Sequence, residues 1–166
     1  FMDTRLIGSS ETTSIGECFM CGFPNVTSID LTPLANVTQI GACFMAGNGL
    51  QSLDLSKLTR LAESDDGALS SDYFLAGNNK LTSVNMGDIA ADKFVSSNAT
   101  VNPALAALYP NEITGYTGVT LTVNSNLKDD WETRIANADL EELDGVEFQM
   151  TSGSPTYYAY RKLSIK

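Results

Sequence analysis

IGACFMAGNGLQSLDLSKL, residues 40–58, decides the fold, because residues 15–34 say nearly the same thing: IGECFMCGFPNVTSIDLTPL. Ile15 and Ile40, Cys18 and Cys43, Phe19 and Phe44, Gly22 and Gly47 each stand 25 residues apart. A third copy, YFLAGNNKLTSVNMGDI, covers residues 73–89, with Phe74 and Gly77 lying 30 residues beyond Phe44 and Gly47. The added residues fall in AESDDGALSSD, a polar stretch that reads as a loop insertion. Self-similarity at such a period marks stacked repeats.

Each copy holds one apolar pattern. It is Val26-x-x-Ile29-x-Leu31-x-x-Leu34, then Leu50-x-x-Leu53-x-Leu55-x-x-Leu58, then Leu81-x-x-Val84-x-Met86-x-x-Ile89. A weaker fourth copy is Leu105-x-x-Leu108-x-Pro110-x-x-Ile113. The central alternation predicts a short strand with one buried face, since side chains two apart share a face. The apolar residues three away on either side turn the chain back into the same core. One coil cannot bury its own apolar face, so neighbouring coils must cover it. Phe19, Phe44 and Phe74 recur with the period and are expected to form a buried spine.

The phrase IGxCFMxG followed by LxSLDLSxL resembles the BspA-like leucine-rich repeats of bacterial surface proteins. The resemblance is clear over residues 13–89. It implies an α/β leucine-rich-repeat solenoid, strand-rich with little helix, whose short parallel strands stack in a right-handed coil. The repeats would cover about residues 13–37, 38–61 and 62–92, with the weak fourth over 93–115. The common leucine-rich repeat has Asn or Cys after the strand, bonded to the turn backbone. Leu34, Leu58 and Ile89 stand there, so no asparagine ladder is expected.

The C-terminal part resembles the closing unit of such arrays, over about residues 116–150: a strand, a short amphipathic helix with an aromatic residue, and a last strand. For the helix, Asn126 is the expected cap, Asp129 and Asp130 suit the first turn, and Trp131 and Ile135 share a face. The tail over residues 151–166 alternates through Tyr158, Tyr160 and Leu163, which suits an added strand covering an open sheet edge.

The chain has 166 residues, 43% of them hydrophobic and 18% charged, enough apolar material for one packed core. The formal net charge is −10 with no histidine. Such a chain repels phosphate, so nucleic acid and anionic membranes are poor partners. No run approaches the roughly 20 apolar residues of a membrane span. The start, FMDTRLIGSS, has no apolar core of a signal peptide. An initial Phe implies a processed or cut chain, so an export signal is expected outside it.

Residues between the buried strand positions should face outward: Ser28 and Asp30, Ser52 and Asp54, Ser83 and Asn85, followed by Thr32, Ser56 and Gly87. Stacked, they would form a polar, acidic stripe, and these six strand residues are the candidate ligand-binding set. Concave faces of repeat sheets are frequent binding surfaces. Solvated strand residues explain the same pattern without a ligand. The stripe has none of the aromatic or arginine side chains that anchor strong interfaces.

Cys18-x-x-Cys21 has redox or zinc spacing, but four zinc ligands and a βαβ setting are both lacking. An odd cysteine count argues against a full disulfide framework. Cys18 and Cys43 read as buried small hydrophobes, with a disulfide between them geometrically open. The acidic groups at Glu63, Asp65 and Asp66, and at Glu141, Glu142 and Asp144, lack calcium-loop spacing and read as solvated loops. Three Asn-x-Thr sequons, at Asn25, Asn36 and Asn98, would be chance matches in a bacterial protein. There is no histidine base, no nucleophile elbow and no phosphate loop, so catalysis and cofactors are not expected.

The functional expectation is a non-catalytic module of a secreted or cell-surface bacterial protein, binding a protein or glycan ligand, host-derived ligands included. A structural spacer in a larger surface protein is the alternative. Assembly through residues 157–160 is a third reading.

Overall fold

Alternation becomes parallel sheet. A computed structural model describes residues 11–63, 69–70, 74–75, 77–78, 80–95, 109–110, 119–137, 147–148, 157–158 and 163–166. The strands are β1 (Ser14–Ile15), β2 (Gln39–Ile40), β3 (Ser52–Asp54), β4 (Leu69–Ser70), β5 (Ser83–Gly87), β6 (Phe94–Val95), β7 (Tyr109–Pro110), β8 (Val119–Val123), β9 (Glu147–Phe148), β10 (Tyr157–Tyr158) and β11 (Leu163–Ile165). The α-helices are α1 (Thr59–Ala62) and α2 (Lys128–Asn137), with short 3-10 turns at Thr32–Leu34 and Ala91–Lys93. Two four-stranded sheets are parallel throughout, one ordered β1-β2-β4-β6 and the other β3-β5-β8-β11. Along the chain the strands pass between these two sheets: the second copy supplies β2 and β3 and the third supplies β4 and β5, whereas the first supplies β1 to the first sheet only. A third sheet, β7-β10-β9, is antiparallel.

The buried strand residues are those the alternation picks out. In β5, Val84 and Met86 are buried while Ser83 and Asn85 are half-exposed. In β8, Val119, Leu121 and Val123 are buried and alternate with Thr120 and Thr122. Leu31, Leu34, Leu50, Leu53, Leu55, Leu58, Leu81 and Ile89 join them in one core. After each strand the chain closes the same turn. The N–H groups of Leu34, Leu58 and Ile89 donate to the carbonyls of Leu31, Leu55 and Met86, at 2.9, 3.0 and 3.0 Å. The apolar residue three beyond Leu31, Leu55 or Met86 therefore both turns the backbone and fills the core.

The aromatic spine is present. The Phe19 and Phe44 ring centroids are 5.7 Å apart and those of Phe44 and Phe74 5.6 Å, the rings stacked nearly parallel in both pairs. Phe44 and Phe74 are buried; Phe19, in the first copy, is half-buried. Around the spine the backbone is unusual. Cys18, Met20, Cys43, Met45 and Leu75 have φ between +53° and +58°. This left-handed region costs an L-residue about 1–2 kcal/mol. Bonds between copies hold it in place: Cys18 N–H to Ala42 C=O, Met45 N–H to Phe19 C=O, and Leu75 N–H to Phe44 C=O, at 2.8, 2.8 and 2.9 Å.

Two expectations are corrected here. An asparagine ladder exists, displaced to the turn before the strand. Asn48 and Asn78 are buried. Asn48 accepts the Phe23 N–H and donates to the Met20 C=O, at 2.8 and 2.7 Å. Asn78 accepts from Leu50 N–H at 3.4 Å and donates to the carbonyls of Met45 and Leu75 at 2.9 and 2.8 Å. An amide, with donor and acceptor together, is what a buried turn needs to satisfy its backbone. The equivalent residue of the first copy is Phe23, which is exposed. The fourth strand of the sheet also differs from expectation. Pro110 lies in β7 and pairs antiparallel with β10, while β8 takes the place beside β5. A central proline removes a ladder N–H, whereas VTLTV supplies five. Leu105, Leu108 and Ile113 lie outside the described residues.

At the far end α2 packs on the core through Trp131, which is buried and donates its indole N–H to the Ile89 C=O at 3.1 Å. The helix begins at Lys128, so Asn126 stands one residue before the cap position. β11 lies parallel to β8 as an added edge strand. Among the described residues no helix is long and apolar enough to cross a membrane.

Candidate functional site

The outward residues of β3, β5, β8 and β11 line up across the sheet. Ser52 pairs in register with Ser83, Ser83 with Thr120, and Thr120 with Ser164. Beside this row runs a second, from Asp54 to Asn85 to Thr122. Strand spacing sets the repeat of each row at about 4.8 Å. Ser28 and Asp30 lie exposed in the first copy, whose Thr27 C=O accepts the Gln51 N–H at 3.4 Å. Thr120, Thr122 and Ser164 extend the rows and were not among the candidates. The alternation in VTLTV was the signal for two of them.

The acidic and amide residues of the stripe have internal work. Oδ1 of Asp30 accepts the Thr32 N–H at 2.9 Å, Oδ1 of Asp54 accepts the Ser56 N–H at 3.0 Å, and Oδ1 of Asn85 accepts the Gly87 N–H at 3.1 Å. Each closes an Asx turn that ends its strand segment. Asp54 also accepts from the Ser56 hydroxyl and from Asn85 Nδ2, the latter at 3.0 Å. Asn85 Nδ2 reaches Ser56 Oγ as well, at 3.3 Å. These side chains thus link copy to copy while presenting their edges to solvent. Gly87, with φ of +56°, completes the turn, and a Cβ there would meet the Ser56 Cβ at 2.6 Å.

A shallow cleft of about 300 Å³ opens where this network meets α1. Leu58, Met86 and Ile89 form its apolar floor, with Ser56, Thr59, Glu63 and Asp88 around it. Glu63 pairs with Arg60, and Asp88 accepts from Asn124. The other acidic residues proposed as solvated loops, from Asp65 to Asp144, lie outside the described residues.

The cysteines are all free thiols, and Cys18 is exposed rather than buried. It belongs to the first copy, and no described element packs over its outer side. Cys21 and Cys43 are half-buried. Burial pushes the Cys43 thiol up from 9.0 to about 12, with the neighbouring Cys18 adding to the effect. Burial also raises Cys21. Among the described residues no group of three His, Cys, Asp or Glu side chains is placed to hold a metal ion.

Chemically, the face offers ordered hydroxyls, a carboxylate–amide network and an adjoining apolar notch. Such groups are chemically able to donate and accept hydrogen bonds along the face. No protein-family model matches the chain, and no curated protein or solved structure does either.

Proposed function

We propose that the chain is a BspA-like leucine-rich-repeat solenoid, wound as a right-handed coil. In this reading it serves as a non-catalytic binding module of a secreted or cell-surface bacterial protein. A protein or glycan ligand, host-derived ligands included, lies on the outward face of the β3-β5-β8-β11 sheet. The observation that carries the reading is the in-register row of Ser52, Ser83, Thr120 and Ser164 beside Asp54, Asn85 and Thr122. A face of evenly spaced donors and acceptors suits an extended ligand, and the sheet faces of repeat proteins commonly serve this way. Strands shared between two parallel sheets, with a Phe (Phe19, Phe44, Phe74) and a left-handed Gly (Gly22, Gly47, Gly77) at equivalent places in the three copies, support the coil.

A specific observation favours the second reading, a structural spacer. Asp30, Asp54 and Asn85 each spend one side-chain oxygen, Oδ1, on their own turn. The test therefore leaves them intact. The 166-residue chain is screened against host matrix proteins and glycans, and Ser52→Arg/Ser83→Arg is measured beside it. The binding reading expects saturable binding that the double variant weakens roughly tenfold or more, about 1.4 kcal/mol, at unchanged Tm. Equal binding by both proteins removes the face from the mechanism. No binding by either favours the spacer.

A further inference from the structure

We propose that Cys18 and Cys43 are a disulfide-forming pair, which staples the first copy to the second when a small-molecule disulfide oxidises it. The two residues hold the same place in successive copies, 25 residues apart. Bonds on both sides fix them alongside one another. Gly41 N–H donates to Ile15 C=O, Cys18 N–H to Ala42 C=O, and Met45 N–H to Phe19 C=O, each at 2.8 Å. Backbones bonded in this way lie about 4.8 Å apart, inside the Cα range of about 4.4–6.8 Å that a disulfide spans. Their φ angles, +56° and +57°, match, so both Cα–Cβ bonds leave the backbone in the same sense. Beyond the effect of burial, the Cys18 thiol acts on the thiols of both Cys43 and Cys21, raising the pKa of each.

Cys21 is the competing partner. It closes a tight turn on Cys18, its N–H donating to the Cys18 C=O at 3.2 Å. Its own thiol, however, is directed at the Cys43 carbonyl, to which it donates. A Cys18–Cys43 bond would join two copies; a Cys18–Cys21 bond would join only one turn to itself.

The order of events follows from access. Cys18 is exposed and reacts first. Its thiolate attacks an external disulfide, forms a mixed disulfide and releases one external thiolate. Cys43 then gives its proton to solvent base, and its sulfur attacks Cys18 Sγ and expels the second external thiolate. Two cysteine thiols and one external disulfide become one protein disulfide and two external thiols. The high Cys43 pKa makes the second step the slow one and base-dependent, because the thiolate is the attacking species.

The reduced chain is incubated with glutathione disulfide and followed by intact mass, peptide mapping and thermal melting. Transient glutathionylation of Cys18, then a Cys18–Cys43 peptide and loss of two thiols, is the expected course, faster at higher pH. Closing a 25-residue loop raises Tm on the order of 10 °C. The rise should survive in Cys21→Ser and vanish in Cys43→Ser. A Cys18–Cys21 peptide, a disulfide-linked dimer, a persistent mixed disulfide or no loss of thiols overturns the proposal.

Discussion

At the scale of single residues, the buried asparagines show what a repeat position must supply. Asn78 satisfies three backbone groups, all on buried residues: Leu50, Met45 and Leu75. Asn48 satisfies two, on the exposed Phe23 and the half-buried Met20. A buried polar group left unpaired costs roughly 1–3 kcal/mol, while one at the surface turns to water. Asn78→Leu should therefore lower the unfolding free energy by at least about 2 kcal/mol. Asn48→Leu should cost clearly less. Urea titrations of the two variants read the difference, and equal losses would contradict the account. A second residue prediction concerns pH. Burial in the folded chain pushes the Cys43 thiol up from its ordinary value of 9.0 to about 12, and unfolding returns it toward the ordinary value. Between those values the unfolded chain binds fewer protons, so stability falls as pH rises. Below pH 9 the contribution is fully present. Tm measured from pH 9 to 12 should fall less steeply in reduced Cys43→Ser than in the reduced parent.

Elements show where sequence is a good guide and where it misleads. β3 and β5 were legible because Leu53, Val84 and Met86 alternate with polar residues and nothing else competes. The asparagine ladder was not, because Asn48 and Asn78 look like ordinary turn residues and Phe23 breaks the period in the first copy. β8 was read as part of a closing unit, since the pattern around Pro110 offered a decoy at nearer the expected spacing. The Asx turns had a signal in the Asp-x-Thr, Asp-x-Ser and Asn-x-Gly spacings, but outward direction alone suggested ligand contact. For α2 the sequence named the right anchor, and Trp131 makes its stability testable. The ring is buried and its N–H holds the Ile89 carbonyl. Trp131→Ala should cost about 3–5 kcal/mol, from lost burial and the cavity left behind. Trp131→Phe keeps most of the apolar volume but orphans that carbonyl, so it should fall between parent and alanine variant. Guanidinium melts followed by circular dichroism would order the three proteins, and a Phe variant as weak as the Ala variant would assign the indole N–H a larger share.

For the whole molecule, charge is the quantity that no single contact controls. Twenty acidic residues stand against ten basic ones. Ion pairs among the described residues include Lys57 with Asp54, Arg60 with Glu63, and Lys128 with Glu132. Their side chains are about half exposed, and such pairs are each worth about 0–1 kcal/mol. Against them stands the self-repulsion of a chain with net charge −10, which opposes the compact state. Salt weakens both effects, and the sign of its action on Tm shows which is larger. Raising ionic strength from 0.01 to 0.15 M shortens the screening length from about 30 to about 8 Å. The attractive pairs act over less than 4 Å and keep most of their strength, whereas repulsion between distant carboxylates is largely removed. Tm should therefore rise over this range. Sodium chloride and potassium fluoride should act alike at equal ionic strength, because screening does not depend on which ion supplies it. A fall in Tm would mean that the surface pairs outweigh the net charge, and a difference between the two salts would point to a specific ion site.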